Sequence, residues 1–385
     1  MGQQVSLNNI IDVFSCCVLN WTALTTMLPA FLLAGAITAF IPAPILLKYL
    51  GSRKHRVLAY IVAASSGAFL PVCSCNVVPL FLSIYRRGAG IGPAFTFLYA
   101  APAIHIVSIV FTYQVIGWRL GLWRVIGVPA IALVVGPTMG FIFRREEQAR
   151  MEQLRETHAL ATDGVGNSRR LIALFGLLFA AIVLGSWNIK KLLPGAEINP
   201  QYATLWTYKL IATGILAVAI AIAVWRMYDG DEIRGWLRET FLYLKMVIPL
   251  LIPAILIIGF VATAIDIKLV SHLFRSPGAD AGALAANLPI LRASGFSALM
   301  YFPVLAEVAF TKAFLKEGMI DVAPALAVLL TGAGISLPGG VLISRGIGVK
   351  KTVIYFALII TSVTLFCSIF NSRFGQYICD CMLMH

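Results

Sequence analysis

The chain has 385 residues, of which 59% are hydrophobic and only 12% charged, and its mean hydropathy is +0.88. That balance excludes an ordinary soluble enzyme or nucleic-acid-binding domain. The formal charge of +13 comes from 30 Lys and Arg against 17 Asp and Glu, and the basic residues fall between apolar stretches, each of roughly 20 residues, the length that crosses a bilayer as a helix. They read as the cytoplasmic bias that orients a multi-pass membrane protein and not as a phosphate-binding face.

The N-terminus, MGQQVSLNN, lacks the basic n-region of a cleavable signal peptide. Its MGxxxS pattern matches an N-myristoylation signal, an anchor that a polytopic protein does not need. A first span is predicted over Ala23–Leu47, ending in Lys48, Arg53, Lys54 and Arg56. The next apolar stretch, Val57–Ile84, contains PVCSCNVVP and ends in Arg86 and Arg87, so both of its ends read as cytoplasmic. Spans over Pro93–Tyr113 and Val125–Phe143 lead into the charged loop Arg144–Arg170, where RREEQARMEQLRE predicts a short amphipathic helix. With these three basic loops on one side, Val57–Ile84 must fold back on itself near Cys73 to Pro79.

Spans over Leu171–Trp187 and Leu205–Tyr228 follow, joined by PGAEINP, and the chain crosses again over Phe241–Ala264. A second interrupted stretch, Leu284–Phe314, breaks around Tyr301 to Pro303, and spans over Val322–Ile343 and Val353–Phe370 complete the membrane region. An internal repeat is visible: Pro71 with Cys75 matches Pro303 with Glu307, and GPAFTFLYAAPAIH from Gly92 is similar to APALAVLLTGAGIS from Ala323. The expected fold is an all-α polytopic membrane protein of about eight transmembrane helices plus two broken or re-entrant hairpins, arranged as an inverted repeat. Its divisions are a first membrane repeat (1–143), a charged cytoplasmic loop (144–170), a connecting helix pair (171–228), a second repeat (229–372) and a Cys/Met/His tail (373–385).

Seven cysteines in close pairs suit ligand or redox chemistry better than a disulfide scaffold. Cys73 and Cys75 would point apart on a helix but can share a ligand in an extended segment, and Pro71 and Pro79 bracket them. A half-helix starting near Asn76 would stabilise thiolates, which bind Cu(I), Zn(II) and other thiophilic centres. The plainer alternative is cysteine as a small hydrophobe that packs well in a membrane. Glu307 is an intramembrane carboxylate, by default a functional group, and reads as a proton-coupling acid; an ion pair with Lys312 is the structural alternative. His105, opposite Ser336 in the repeat, is a candidate ligand or a packing residue, and Asn76, Tyr301 and Thr311 could hydrogen-bond around a cavity. The tail CDCMLMH sets Cys379, Cys381 and His385 together as soft-metal ligand types. No GxxxxGK[ST] loop occurs, which argues against ATP hydrolysis by this chain and leaves the proton gradient as the energy source. No cofactor is expected.

The runs PVCSCNVVPLFLSIYRRGAGIGPAFTFLYAAPAIH, YFPVLAEVAFTKAFLKEGM and GISLPGGVLISRGIGVKKT together resemble the ArsP-like predicted permease family, which includes the YraQ-type proteins. The resemblance implies a multi-pass efflux permease of the bacterial inner membrane, with a small thiophilic solute as partner and no nucleic acid. Members of that family export trivalent organoarsenicals such as methylarsenite, and others are linked to copper or zinc export. It also implies that Cys73 and Cys75 form the thiophile site. Competing expectations are a Cu/Zn efflux permease, a passive channel, and a membrane thiol oxidoreductase passing electrons between Cys73/Cys75 and Cys379/Cys381.

Overall fold

In a computed structural model the chain is described over residues 21–40, 56–69, 74–86, 88–104, 106–159, 168–186, 201–242, 244–245, 249, 274, 283–300, 304–316 and 318–382. All regular structure among these residues is helical. The helices are α1 (Trp21–Phe40), α2 (Arg56–Phe69), α3 (Ser74–Arg86), α4 (Ile91–Ala103), α5 (Ile106–Val115), α6 (Trp118–Ile142) and α7 (Arg144–Ala159). They continue as α8 (Ser168–Ser186), α9 (Gln201–Met227), α10 (Ala283–Leu299), α11 (Val304–Lys316), α12 (Val322–Thr331), α13 (Leu337–Ile347) and α14 (Val349–Met382), with a further helical stretch at 230–242.

Two helices among the described residues are long and apolar enough to cross a bilayer unaided, Trp118–Ile142 and Val349–Ser372. The expected spans Pro93–Tyr113 and Val322–Ile343 are not continuous. The first divides into α4 and α5, and the second into α12 and α13 across a turn at 332–336. The causes are in the sequence: Pro102 sits in the last turn of α4, while Gly332, Gly334 and Pro338 surround the second break. Ser336 starts α13 by accepting a hydrogen bond from the Gly339 N–H at 3.4 Å, the work of an N-cap. Of the expected break at Cys73 to Pro79, Cys73 lies outside the described residues, while Ser74 to Pro79 belong to α3, which carries Pro79 inside it. The expected span Phe241–Ala264 lies mostly outside the described residues, as do Tyr301 and Pro303. Through Met382 the expected tail is a continuation of α14.

The helices α2 to α6 and α10 to α14 form two blocks of the same order. In the first, α4 packs against α2, α3 and α6, and α5 against α6; in the second, α12 packs against α10, α11 and α14, and α13 against α14. The blocks also exchange equivalent contacts, α3 on α13 and α11 on α5. Every residue with positive φ among those described is a glycine, and the four form two repeat-related pairs. Gly88 (φ 106°) and Gly318 (φ 66°) follow α3 and α11, and Gly117 (φ 128°) and Gly348 (φ 99°) precede α6 and α14. Such φ values suit only glycine without strain, so the same turns are built twice.

Direction can be read from side-chain contacts. A side chain on Gly92, at the start of α4, would strike the Tyr60 ring near the start of α2, so the starts of α2 and α4 lie side by side. In the second block, Ser297 donates to the Val328 carbonyl at 3.1 Å and Ser294 and Thr331 hydroxyls lie 2.9 Å apart, near the ends of both α10 and α12. The long helices α6 and α14 are antiparallel. Trp123, early in α6, packs edge-on against Phe370, late in α14, at 5.0 Å, while Lys351, early in α14, pairs with Glu146 just beyond the end of α6 at 3.0 Å.

The two helices at the centre, α4 and α12, are buried on all sides, as a core helix must be. They cross where the Tyr99 hydroxyl donates to the Leu330 carbonyl at 2.9 Å, and Gly334 is required there because a Cβ would run into the Tyr99 ring. Side-chain-free surface elsewhere serves the same end: Gly136 on α6 lies against Thr96, and Gly346 on α13 against Leu82.

The predicted amphipathic helix in the charged loop is present as α7, and it is tied to the first block. Arg150 lies over the Tyr85 ring at 3.8 Å and donates to the carbonyls of Tyr85 and Ala89, each at 2.7 Å. It also donates to Glu147 at 2.6 Å, and Glu147 in turn accepts from the Ile91 N–H at 3.1 Å. The α3–α4 turn is thereby capped on both sides, satisfying backbone groups that the ends of α3 and α4 leave open.

Candidate functional site

Glu307 lies in the first turn of α11 and is wholly buried, with Arg124 of α6 its charged neighbour. The carboxylate Oε2 and the guanidinium Nη2 are 3.7 Å apart, and both side chains have 0% exposure. Among the described residues these are the buried charged side chains. The position of Glu307 at a helix N-terminus favours a negative charge, by roughly 0.3–1 kcal/mol in exposed cases.

Arg124 is positioned by α6. Its stripe Leu120, Arg124, Val128, Ile131 and Val135 is buried at helical spacing, so Arg124 occupies a core position flanked by leucine and valine one turn either way. Its Nε donates to the Ala103 carbonyl at the end of α4 at 3.2 Å, and Nη1 donates to the Thr112 hydroxyl of α5 at 3.1 Å. Thr112 passes its own proton to the Ser108 carbonyl at 2.7 Å. Arg124 thus sits across the α4–α5 break and stabilises the carbonyl end of the first half-helix. The opposite break contributes Gly332, whose missing side chain lets the α12 backbone lie against Glu307: a Cβ there would be 2.9 Å from Oε1 and 2.5 Å from Ser297 Oγ.

The pair is incompletely satisfied. At 3.7 Å it is an ion pair without a hydrogen bond; Arg124 Nη2 makes none among the described residues, and the Glu307 carboxylate has only the Ala333 N–H near it, outside good hydrogen-bond geometry. Each such atom costs roughly 1–3 kcal/mol in a dry interior. Holding that cost where two broken helices meet is typical of sites that change partners. Thr311, one turn along α11, is buried and donates to the Glu307 carbonyl at 2.8 Å, so it bonds backbone and not the carboxylate.

Lys312, the partner in the structural alternative for Glu307, is exposed; Arg124 stands beside the carboxylate. Equal helix lengths and the shared glycine turns place Val77 of α3, not Cys75, opposite Glu307 in the repeat. Cys73 and His105 lie outside the described residues. The backbones of Cys75 and Asn76 form the first turn of α3 and those of Cys379 and Cys381 belong to α14, but their side chains lie outside the described set, as does His385. Arg124 is the residue that sequence reasoning missed. Its signal was its register, four residues after Leu120 and four before Val128.

Broken helices in a predominantly apolar helical bundle, with a buried ion pair at their junction, define a multi-pass membrane protein of transporter type. The chain belongs to the ArsP_1 family of predicted permeases, whose family model matches residues 6–372. It is 34% identical over 361 residues to UPF0718 protein MJ0584 of Methanocaldococcus jannaschii, covering 94% of this chain and 93% of that one. It is 22% identical over 155 residues to UPF0718 protein YcgR of Bacillus subtilis, covering 40% of this chain and 51% of that protein. No solved structure matches it.

Proposed function

We propose that this transporter is a proton-coupled efflux permease of the cell membrane, of the bacterial inner-membrane type, for a thiophilic solute such as a trivalent organoarsenical. The observation that carries the reading is Glu307, a fully buried carboxylate at the junction of the two blocks that makes no well-formed hydrogen bond among the described residues. A carboxylate so placed can take up a proton from one side and release it to the other as the half-helices shift. Two blocks of equal order with α6 and α14 antiparallel support an inverted repeat, and the side-by-side starts of α2 and α4 support a re-entrant first hairpin.

Cys73 and Cys75 are proposed to hold the solute. A dihydroxy organoarsenical condenses with two thiols: two As–O bonds break, two As–S bonds form, and the thiol protons leave with the hydroxyls as two waters. The step is neutral and reversible, as release on the far side requires. Soft-metal export through the same thiols, with Cys379, Cys381 and His385 as an accessory site, is the alternative.

The test is methylarsenite accumulation in everted vesicles carrying the wild type, Cys73→Ser/Cys75→Ser, or Glu307→Gln. Wild-type uptake that collapses with the proton gradient and is lost in both variants is the expected result. Uptake no greater than in empty vesicles overturns the proposal.

A further inference from the structure

Arg124 changes what Glu307 can bind. An unaccompanied intramembrane carboxylate cycles between charges of −1 and 0 and attracts cations in its deprotonated state. With Arg124 at 3.7 Å and equally buried, the centre cycles between 0 and +1. No state of the pair is negative. Among the described residues no other buried side chain carries a charge to offset the guanidinium. The buried groups that the pair touches or lies near are the Thr112, Ser297 and Tyr99 hydroxyls and the Ala103 carbonyl, which are dipoles only. The Ala103 carbonyl adds a fraction of a negative charge at a helix end, less than one unit.

We infer that Arg124 is the specificity-determining residue of the permeation pathway, and that it bars metal cations while admitting neutral or anionic solutes. The inference rests on the transporter reading with Glu307 as its coupling acid, and it separates the two substrate classes that thiol chemistry alone leaves together. Zn(II) or Cu(I) arriving at this centre must displace a fixed guanidinium from the carboxylate or face a net positive site, and either route is repulsive in a medium that screens poorly. A neutral dihydroxy solute meets no such barrier. Its oxygens can accept from the unpartnered Nη2 and its hydroxyls can donate to the carboxylate, whose oxygens keep spare acceptor sites beside the Ala333 N–H.

The experiment uses full-length protein on a Cys73→Ser/Cys75→Ser background, so that thiol binding does not mask the centre. Zn(II) binding is measured in detergent as the portion removed by Glu307→Gln. Without further change this portion is expected to be nil. Arg124→Gln, which leaves Glu307 unaccompanied, and Thr112→Asp, which keeps Arg124 but adds a carboxylate against its Nη1, are each expected to bring Glu307-dependent Zn(II) binding to about tenfold or more above the assay background. Should Arg124→Gln fail to fold, Thr112→Asp carries the result alone. Glu307-dependent Zn(II) binding with Arg124 and Thr112 intact, or no gain in the folded variants, overturns the inference. Failure of proton-driven methylarsenite uptake by the wild type would instead sink the transporter reading and leave the metal-binding result standing.

Discussion

The same five-helix block occurs twice in this molecule, and the two copies treat one position in opposite ways. In one setting, α6 presents Arg124 to Glu307 of α11; in the other, the equivalent residue of α14 is Tyr355 and that of α3 is Val77. Tyr355 is buried against Phe95 at 4.6 Å, and its hydroxyl has no hydrogen-bond partner among the described residues. The scaffold therefore does not require a charge at this level. A scaffold that accepts tyrosine and valine at the counterpart positions keeps an arginine in the first block and a glutamate in the second for something other than packing. Replacing a buried ion pair with apolar groups is often neutral or stabilising, so stability is a poor reason for its presence.

The sharpest way to break this comparison is to remove one member of the pair. Glu307→Ala is expected to abolish proton-driven uptake and to destabilise the protein by about 3–5 kcal/mol, because it strands a buried guanidinium. Vesicle uptake and thermal unfolding in detergent measure the two effects. Arg124→Met/Glu307→Leu should recover most of that stability while remaining inactive, which separates function from folding through a double-mutant cycle. Should the double variant stay as unstable as the single ones, the pair is structural after all.

A smaller loss, of roughly 1–3 kcal/mol, is expected for Gly117→Ala and Gly348→Ala, whose φ of 128° and 99° with ψ of 161° and 149° place them in a region nearly reserved for glycine. Because the two turns are equivalent, their costs should agree within experimental error in thermal unfolding; a large difference would mean that the blocks are alike in outline only. Tyr355→Phe is expected to change stability by no more than about 1 kcal/mol, in the favourable direction, since it deletes a buried hydroxyl that makes no bond. Uptake should be unchanged, and a Tyr355→Phe defect would show that the second copy also takes part. Lys351→Met should be the weakest, within about 1 kcal/mol, because Glu146 is 56% exposed and such pairs are screened.

Much of this arrangement could be read in the chain itself. The helical class follows from apolar runs with basic punctuation. Glu307 was legible because a carboxylate in an apolar stretch has few innocent explanations. Arg124 was not, since an arginine beside the start of a span normally extends its guanidinium to the interface. Only the neighbours decide otherwise: the α4 carbonyl end and Thr112 supply bonds that make burial tolerable. The breaks within the central spans were hidden for a related reason, because alanine, glycine and proline keep a run apolar while its backbone changes direction.

Tyr99 and Leu330, whose hydrogen bond marks the crossing of α4 and α12, are themselves equivalent positions, separated by the same interval as Gly117 and Gly348. Where the two blocks form the inverted repeat proposed above, a bond between counterparts lies on the axis that relates them. If transport works by each block adopting the shape of the other, that axis is the one line in the molecule that stays still. The Tyr99 bond then acts as a fulcrum, and loosening it would slow the exchange in both directions without favouring either side of the membrane.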